Sequence, residues 1–338
     1  MGPQHVLMHA AYITARGLAE TIRFGELPAP GCGPGEVLVR VEAVSVNHVD
    51  TFVRSGAYPT RLPFPFVIGR DVVGVIVAVG SGVTAFARGD RVWSNSLGHD
   101  GRQGPSADFA VVPADRAYPL PEGVAAATAV AIVHPAATAY LALHAHGGIR
   151  GGETVHIGGG AGQVGSALVT LAAESGARVI CSASAADRAY CRSMGADDVL
   201  DYRADDLAGR LRAIAPGGID LAIDTSARED VASLLDLLAP RGRVVVLAGM
   251  TTRVTLTLGE LYTHDRSIRG FAISNATVAE LTAAAGTINR LLARGALTPR
   301  RIETLPMSHA RRAHARLEDG DVRGTRIVLV PDEAMPPP

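Results

Sequence analysis

The pattern of hydrophobic and polar positions changes in character near residue 124. Before that point, short apolar segments alternate with polar residues, as in residues 35–46 (GEVLVRVEAVSV) and 71–80 (DVVGVIVAVG), and Gly or Pro separates them. Alternation with a period of two is typical of strands with a buried face. The first part of the chain therefore predicts a compact β-rich domain, in which the polar, glycine-rich residues 94–109 form a loop.

After Val124, predicted strands alternate with helical segments. The predicted strands are residues 154–157, 178–181, 197–200, 220–223, 243–247 and 267–271. This alternation is the signature of a doubly wound parallel sheet, so the fold class is α/β. Further on, the pattern predicts helices over residues 278–294 and near 308–318, and a closing strand over 326–330.

A complete dinucleotide-binding fingerprint lies between the first of these strands and the helix after it. It reads Gly160-x-Gly162-x-x-Gly165, with Gln163 and Val164 inside it. Glycine allows a tight turn, close approach of the backbone to a pyrophosphate, and close packing of helix on strand. The helix N-terminus then receives the phosphate charge. We interpret these five residues as cofactor-binding; the alternative is an ordinary glycine-rich turn between strand and helix.

The residues after the second strand of this sheet favour NADPH over NAD. An NAD site usually has an Asp or Glu about twenty residues after the glycines, whereas this chain has Cys181 to Ser184 there. Ser182, Ser184 and Arg188 are predicted to bind the 2′-phosphate, because guanidinium matches phosphate geometry. The alternative is that Asp187 serves NAD and that Arg188 is solvated.

Composition narrows the class of partner. The 338-residue chain is 47% hydrophobic and has a formal net charge of -1, with no block of like charges, so nucleic acid and anionic membranes are not expected partners. All 32 basic residues are arginine, which excludes a lysine nucleophile. The N-terminus lacks a signal-peptide pattern and the apolar runs look short, which predicts a soluble cytoplasmic protein acting on a small molecule.

Several motifs resemble the medium-chain dehydrogenase/reductase superfamily, and within it the zinc-independent quinone oxidoreductases related to ζ-crystallin. They occur in the family's order and span nearly the whole chain: VNHVDTFVRSGAYP (46–59), GRDVVGVIVAVGSGV (69–83), GDRVW (89–93), the glycine motif, GADDVLDYR (195–203) and GTRIVLV near the end. The resemblance implies a GroES-like catalytic domain in residues 1–123, completed by 272–338, and a Rossmann domain in 124–271. It also implies a homodimer.

The resemblance further implies that there is no catalytic zinc. Alcohol dehydrogenases of the superfamily bind zinc with Cys, His and Cys, and the corresponding residues here are Asn47, Arg70 and His134. Arginine cannot ligate zinc, and a catalytic zinc needs three protein ligands. Without a metal, hydrogen-bond donors must polarise the substrate.

The same resemblance implies roles for other residues. Asn47 is a candidate to hold the nicotinamide ribose or the substrate carbonyl. Tyr58 is either a proton donor or a residue that shapes the substrate site, in which case water supplies the proton. His134 is either a general acid or a hydrogen-bonded residue in the wall. The remaining expected cofactor contacts are Thr138, Tyr202, Gly249, Phe271 and Arg326.

The function that follows is hydride transfer from NADPH to a quinone or to an activated C=C bond, as in an enone or an enoyl thioester. Two alternatives stay open: a dedicated biosynthetic enoyl-thioester reductase, and a crystallin-like protein that binds NADPH with little turnover. The sequence does not identify the substrate.

Overall fold

The structure is a computed structural model and describes residues 6–333. Its strands are β1 Leu7–Ile13, β2 Arg23–Pro28, β3 Glu36–Ser45, β4 Phe66–Val67, β5 Asp71–Val79, β6 Arg91–Ser94, β7 Phe109–Pro113, β8 Tyr118–Pro119, β9 Thr154–Gly158, β10 Arg178–Ala183, β11 Asp198–Asp201, β12 Ile219–Asp224, β13 Leu238–Val246, β14 Ser267–Gly270, β15 Ile302–Pro306 and β16 Arg326–Val330. Its α-helices are α1 His48–Ser55, α2 Ala126–Tyr140, α3 Gln163–Glu174, α4 Arg188–Ser193, α5 Leu207–Ile214, α6 Val231–Asp236, α7 Leu258–Tyr262, α8 Val278–Ala293 and α9 Ala310–Glu318.

The chain forms two compact units. The first comprises residues 1–134 and 281–338, and the second residues 135–280. The sequence placed the boundaries at 123/124 and 271/272. Both divisions build one unit from the two ends of the chain.

The first unit is β-rich, as predicted. One sheet has the strand order β15-β16-β3-β5-β6-β8 with β7 also paired to β3, and a smaller sheet has the order β2-β1-β4. Val37, Val39 and Val41 on one face of β3 pack into the main core of this unit. Leu38, on the opposite face, packs into a second cluster with Met8 and Phe109. Both faces of β3 are therefore covered.

The second unit is a six-stranded parallel sheet of order β11-β10-β9-β12-β13-β14. Renumbered within the unit, this is the order 3-2-1-4-5-6 of the Rossmann fold, which confirms the predicted fold class. The order reverses between β9 and β12, where ligands of such sheets bind. Strand β14 forms one edge; the homodimer implied by the resemblance stays a prediction.

One apolar run is longer than the sequence pattern suggested. Helix α2 continues into a π-helical segment, Leu141–His146, and the 21 residues are long and apolar enough to span a membrane. However, 78% of the most apolar stretch is buried inside the protein, as in the core helix of a soluble fold. The expectation that all apolar runs are short was wrong here, because packing against protein on all sides also makes a helix apolar all round.

Candidate active site

A buried polar cluster in the first unit is centred on Asp71, the first residue of β5. Asp71 is fully buried, and its Oδ1 lies 2.9 Å from Nδ1 of His134. Its Oδ2 accepts hydrogen bonds from the Ser45 hydroxyl at 2.5 Å and from the Asn47 amide at 2.7 Å. Strands β3 and β5 are paired with Ser45 directly opposite Asp71, which explains why these side chains meet. The carboxylate therefore orients the three residues around it.

Asn47 connects this cluster to the start of helix α1. Its Oδ1 accepts a hydrogen bond from Nη2 of Arg326 at 2.8 Å, and its backbone N–H donates to Oδ2 of Asp50 at 2.8 Å. Asp50 thus caps the helix. Both ends of the Asn47 amide are engaged within this unit, so its proposed contact with a ribose or a carbonyl stays a prediction.

The two aspartates of the cluster have opposite pKa shifts. Burial raises the pKa of Asp50 to about 6, and the neighbouring charge of Asp71 adds to this effect. Burial also acts to raise the pKa of Asp71, but the interaction with His134 and the hydrogen bonds from Ser45 and Asn47 lower it below its usual value. The negative charge of the cluster therefore resides mainly on Asp71, and Asp50 is protonated more readily.

The raised pKa of Asp50 predicts that its contribution to stability falls as pH rises. The folded state holds the proton up to about pH 6, whereas the unfolded state releases it near pH 4. The stability that the protonated carboxyl contributes is therefore complete below about pH 4 and is lost as pH rises to about 6. Relative to wild type, Asp50→Asn should gain about 3 kcal/mol in the free energy of unfolding between pH 4 and pH 8. The fluorescence of Trp93, the single tryptophan and buried in the same unit, would report urea unfolding. The prediction would be contradicted if the difference in the free energy of unfolding between Asp50→Asn and wild type did not vary with pH. Asp115→Asn, at an exposed position, is the control.

Tyr58, Arg70 and His99 lie together beside the cluster. The ring of Tyr58 is half-buried, 6.0 Å from the guanidinium carbon of Arg70 and 6.0 Å from the His99 ring. Burial, followed by the charges of Arg70 and Arg102, lowers the pKa of His99 to about 4, so this imidazole is neutral at physiological pH. The loop of residues 94–109 carries His99, and most of it is buried rather than open.

The side chains that the resemblance aligned with zinc ligands are engaged in other contacts. Arg70 is a buried cation, the Asn47 amide is hydrogen-bonded to Asp71, and His134 presents Nδ1 to the same carboxylate. Within residues 6–333, no three His, Cys, Asp or Glu side chains are grouped so as to hold a metal ion. His48, the other histidine near these positions, is exposed at the first residue of α1.

In the second unit, the glycine motif has the close approaches that its sequence predicts. A Cβ on Gly165 would lie 2.1 Å from the carbonyl oxygen of Gly159, and one on Gly160 would lie 2.8 Å from the sulfur of Cys181. Gly162 precedes α3, whose first residues are Gln163 and Val164. These glycines therefore allow the loop to pack closely on β10 and on the start of a twelve-residue helix, an arrangement that fits a dinucleotide.

Positions 181–184 contain no carboxylate, but the fold brings two carboxylates to Ser182 and Ser184. The hydroxyl of Ser182 donates to Glu229 at 2.6 Å, and that of Ser184 donates to Asp187 at 2.6 Å. Glu229 also lies 2.7 Å from Nε2 of buried His156. Glu229 lies on the segment after β12, 47 residues from Ser182, so no local motif revealed it. The roles of Ser182 and Ser184 at a 2′-phosphate remain predictions.

Two arginines that the sequence analysis did not single out flank Tyr202. The guanidinium carbons of Arg203 and Arg228 lie 4.8 Å and 5.2 Å from the centre of the Tyr202 ring. Both arginines are exposed, as is Arg188 at the start of α4. Arg203 could have been found from sequence because it directly follows Tyr202, which the resemblance had singled out. Arg228 could not, because it lies on a distant loop.

The other predicted contacts are distributed along this unit. Thr138 is buried near the end of α2, Gly249 follows β13 with a left-handed backbone (φ 83°), and Phe271 follows β14. The Phe271 ring stacks on His146 at 4.4 Å, a contact that the sequence analysis missed. Leu258 and Tyr262 are exposed on α7.

Comparison with known proteins agrees with this architecture. Residues 33–122 match the alcohol dehydrogenase GroES-like domain, and residues 164–288 match the zinc-binding dehydrogenase domain. The chain is 30% identical to the quinone oxidoreductase of Mus musculus, over 96% of this chain and 98% of that one. It is 31% identical to a part of the phthioceranic/hydroxyphthioceranic acid synthase of Mycobacterium tuberculosis, which covers 94% of this chain but 15% of the synthase.

Among solved structures, mycobacterial Rv1454c complexed with NADPH is similar with a TM-score of 0.81 and 31% identity, over 96% of this chain and all of that one. The matches extend over both units and include the glycine motif. The protein is therefore an oxidoreductase that uses a nicotinamide cofactor. The sequence motifs, the fold and these similarities show that the chain belongs to the medium-chain dehydrogenase/reductase superfamily, within its quinone oxidoreductase-like family.

Proposed function

We propose that the protein is an NADPH-dependent, zinc-independent reductase of quinones or of C=C bonds conjugated to a carbonyl. The observation that carries the proposal is the buried Arg70, which occupies the position of a zinc ligand beside the Asp71–His134 pair. A site without a Lewis acid suits acceptors that delocalise the incoming negative charge onto their own carbonyl oxygen. Similarity to proteins called quinone oxidoreductases supports the same class of acceptor.

The bound cofactor supplies a hydride, and residues of this chain do the rest. In the second unit, the loop around Gly160 and Gly162 would hold the pyrophosphate. In the first unit, Asp71 fixes the imidazole of His134 through Nδ1, and Arg326 and Asp71 together fix the amide of Asn47. A carboxylate and an arginine that hold these groups in place before the acceptor binds reduce the reorganisation required during the reaction.

The proposal is tested by following the loss of NADPH absorbance with a quinone, an enone and a crotonyl thioester in parallel, and with NADH as the comparison. Reduction of the quinone or the enone, with NADPH preferred, would support it. NADPH binding without reduction of any acceptor would refute it and favour a crystallin-like binding protein.

Tyr58 is proposed to donate the proton that completes reduction of the double bond. A phenol is protonated at neutral pH, and Tyr58 is half-buried beside Arg70. Tyr58→Phe should lower kcat for an enone by about 100-fold, a typical value for loss of a general acid, with little change in KM. His134→Gln should have the smaller effect. If His134→Gln lowered kcat more than Tyr58→Phe, His134 would be the proton donor. If both substitutions changed kcat little, water would be the donor.

The pair of arginines around Tyr202 supports NADPH as the cofactor. We propose that Arg228 and Arg203 bind the 2′-phosphate, because both are exposed guanidinium groups near one aromatic ring, Tyr202. Arg228→Ala should raise KM for NADPH by about 10-fold, as expected for loss of one charged hydrogen bond, and should leave KM for NADH unchanged. Exposed Arg212→Ala on α5 is the control. An equal change for both cofactors would contradict this role.

A second candidate is reduction of an enoyl thioester in a biosynthetic pathway. It is favoured by the similarity of nearly the whole chain to part of an acid synthase. A crotonyl thioester reduced much faster than an enone would select it. A homodimer in the cytoplasm is proposed on the family resemblance alone, and sedimentation of the purified protein would test the dimer.

A further inference from the structure

Arg70 differs from the other buried arginines of the protein in having no hydrogen-bond partner. The structure describes four buried arginines. Arg54 pairs with Glu318, Arg243 with Glu153, and Arg326 with Asn47. By contrast, the side chain of Arg70 makes no hydrogen bond or ion pair with any residue in 6–333, although the residue is only 2% exposed.

The unpartnered atoms form one edge of the guanidinium group. Nε and Nη2 of Arg70 are both buried and lack an acceptor. Their N–H groups point in parallel, which is the arrangement that binds the two oxygens of a carboxylate. A buried donor without an acceptor costs about 1–3 kcal/mol, and more when it is charged. Such a cost is often retained where a ligand completes the site.

The neighbouring carboxylates do not neutralise Arg70 by direct contact. Asp71 uses both oxygens for Ser45, Asn47 and His134. Asp50 accepts from the backbone of Asn47, and its second oxygen has no partner, so it makes no bond to Arg70. Arg102 adds positive charge nearby, as its effect on the pKa of His99 shows. Burial lowers the pKa of Arg70 and the charges of Asp50 and Asp71 act against this shift, but neither carboxylate accepts a hydrogen bond from Nε or Nη2. What this edge of Arg70 lacks is therefore a hydrogen-bond acceptor.

The form of the edge restricts the type of anion. A neutral quinone or ketone offers one carbonyl oxygen, which aligns well with only one of the two N–H groups. A phosphate would bring up to two charges to a single buried cation. A carboxylate supplies two oxygens in one plane and one negative charge, and so satisfies both donors and balances the charge of Arg70.

We propose that the acceptor carries a free carboxylate in addition to the carbonyl that activates its double bond, and that the Nε–Nη2 edge of Arg70 binds this carboxylate. The inference rests on the proposed reductase function. In the reaction, the C=C bond gains a hydride from NADPH at the carbon β to the carbonyl and a proton at the α-carbon. The acceptor is reduced by two electrons, NADPH is oxidised to NADP⁺, and the carboxylate is unchanged.

The experiment compares trans-4-oxo-2-pentenoate with its methyl ester, which has the same enone but no charge. Wild type should reduce the acid with the higher kcat/KM. Arg70→Met should lower kcat/KM for the acid by about 100-fold and change that for the ester by less than about fivefold, since a buried charged pair is lost only with the acid. Arg70→Lys keeps the charge but loses the planar edge, so its kcat/KM for the acid should lie between those of wild type and Arg70→Met. Arg116→Gln, which removes a nearby positive charge on a partly exposed residue, should have little effect.

Thermal unfolding separates binding from a structural role. Because Arg70→Met removes no hydrogen bond between Arg70 and another side chain, it should change Tm little, whereas loss of a structural arginine would lower it. The proposal would be overturned if Arg70→Met lost the same factor in kcat/KM for the acid and the ester, or if its Tm fell and both activities were reduced. An Arg70→Met variant that keeps the wild-type kcat/KM for the acid would also overturn it, although the reductase function would then stand.

A test by binding does not depend on turnover. The product, 4-oxopentanoate, should raise Tm of wild type and not that of Arg70→Met. If neither acceptor is reduced but this difference is observed, the carboxylate site stands and the reductase function fails. If 4-oxopentanoate has no effect on wild type, the carboxylate site is refuted.

Discussion

Gly165→Ala should abolish binding of the nicotinamide cofactor while leaving the first unit folded. The added methyl carbon would lie 2.1 Å from the carbonyl oxygen of Gly159 and 3.0 Å from the Cα of Gly160. Both contacts are with backbone atoms, so no side chain can rotate to relieve them. Helix α3 must then move away from the loop that receives the pyrophosphate, and both the N–H groups at its start and its dipole lose their alignment.

We expect the dissociation constant for NADPH to rise by at least about 100-fold, which corresponds to about 2.7 kcal/mol. Titration calorimetry with the purified variant would measure it. Gly162→Ala should have a smaller effect, because its nearest contact would be 3.2 Å from the Gly159 oxygen.

Gly286→Ala is a control glycine substitution that should raise stability. Gly286 lies inside helix α8, is exposed, and a methyl group added there would have no atom within 4 Å outside its own helix. Alanine there should stabilise the first unit by about 0.5–1 kcal/mol and leave cofactor binding unchanged. Tight cofactor binding by Gly165→Ala would show that α3 accommodates the methyl group, and the role given to this glycine would be wrong.

Local patterns allowed the glycine motif to be found from sequence, since strand, turn and helix follow one another within Thr154–Glu174. The same holds for the parallel sheet of the second unit, because strands that alternate with helices are typical of a doubly wound fold. Closing strand β16 was predicted with its observed limits, Arg326–Val330. Period and spacing are properties of neighbouring residues and can be read directly.

Contacts between distant segments could not be predicted in this way. Glu229 reaches Ser182 from another strand's loop, and Arg326 reaches Asn47 across 279 positions. Nothing near Ser182 or Asn47 in the sequence specifies these partners, because strand pairing and loop packing bring them together. The family resemblance named Arg326 as a cofactor contact, but the structure ties its guanidinium to the buried cluster.

The unusual state of Arg70 was only partly visible in the sequence. The resemblance aligned it with a zinc ligand, which made its charge conspicuous. That its Nε and Nη2 lack acceptors is a property of the packed structure. Sequence reasoning therefore argued against a set of zinc ligands, whereas the unpartnered guanidinium edge is the basis for proposing a ligand there.

Asp71→Ala should be the most destabilising single change in the first unit. The substitution removes the acceptor of the Ser45 hydroxyl, the Asn47 amide and the His134 imidazole, all of which are buried. It also removes a negative charge that favours the charged form of buried Arg326. Breaking a buried charged network by loss of one member typically costs about 3–5 kcal/mol.

Tm should fall by about 10 °C, since each kcal/mol corresponds to about 2–4 °C for a unit of this size. Calorimetry would measure Tm, and Trp93 fluorescence would assign the loss to the first unit, where Trp93 donates a hydrogen bond to Asn289. Exposed Asp319→Asn removes the same charge at the surface of this unit and should change its stability by less than about 0.5 kcal/mol.

The pH dependence of Asp71→Asn should oppose that of Asp50→Asn. The pKa of Asp71 is lowered in the folded state, so its contribution to stability is complete above the unfolded pKa near 4 and is lost as pH falls through the lower folded value. Asp71→Asn should therefore show a constant deficit from about pH 5 to pH 8 that diminishes only below about pH 4. Asp50→Asn gains relative to wild type over the same range as pH rises. If both variants followed one pH profile, the two carboxylates would share their proton, and the assignment of the charge to Asp71 would be wrong.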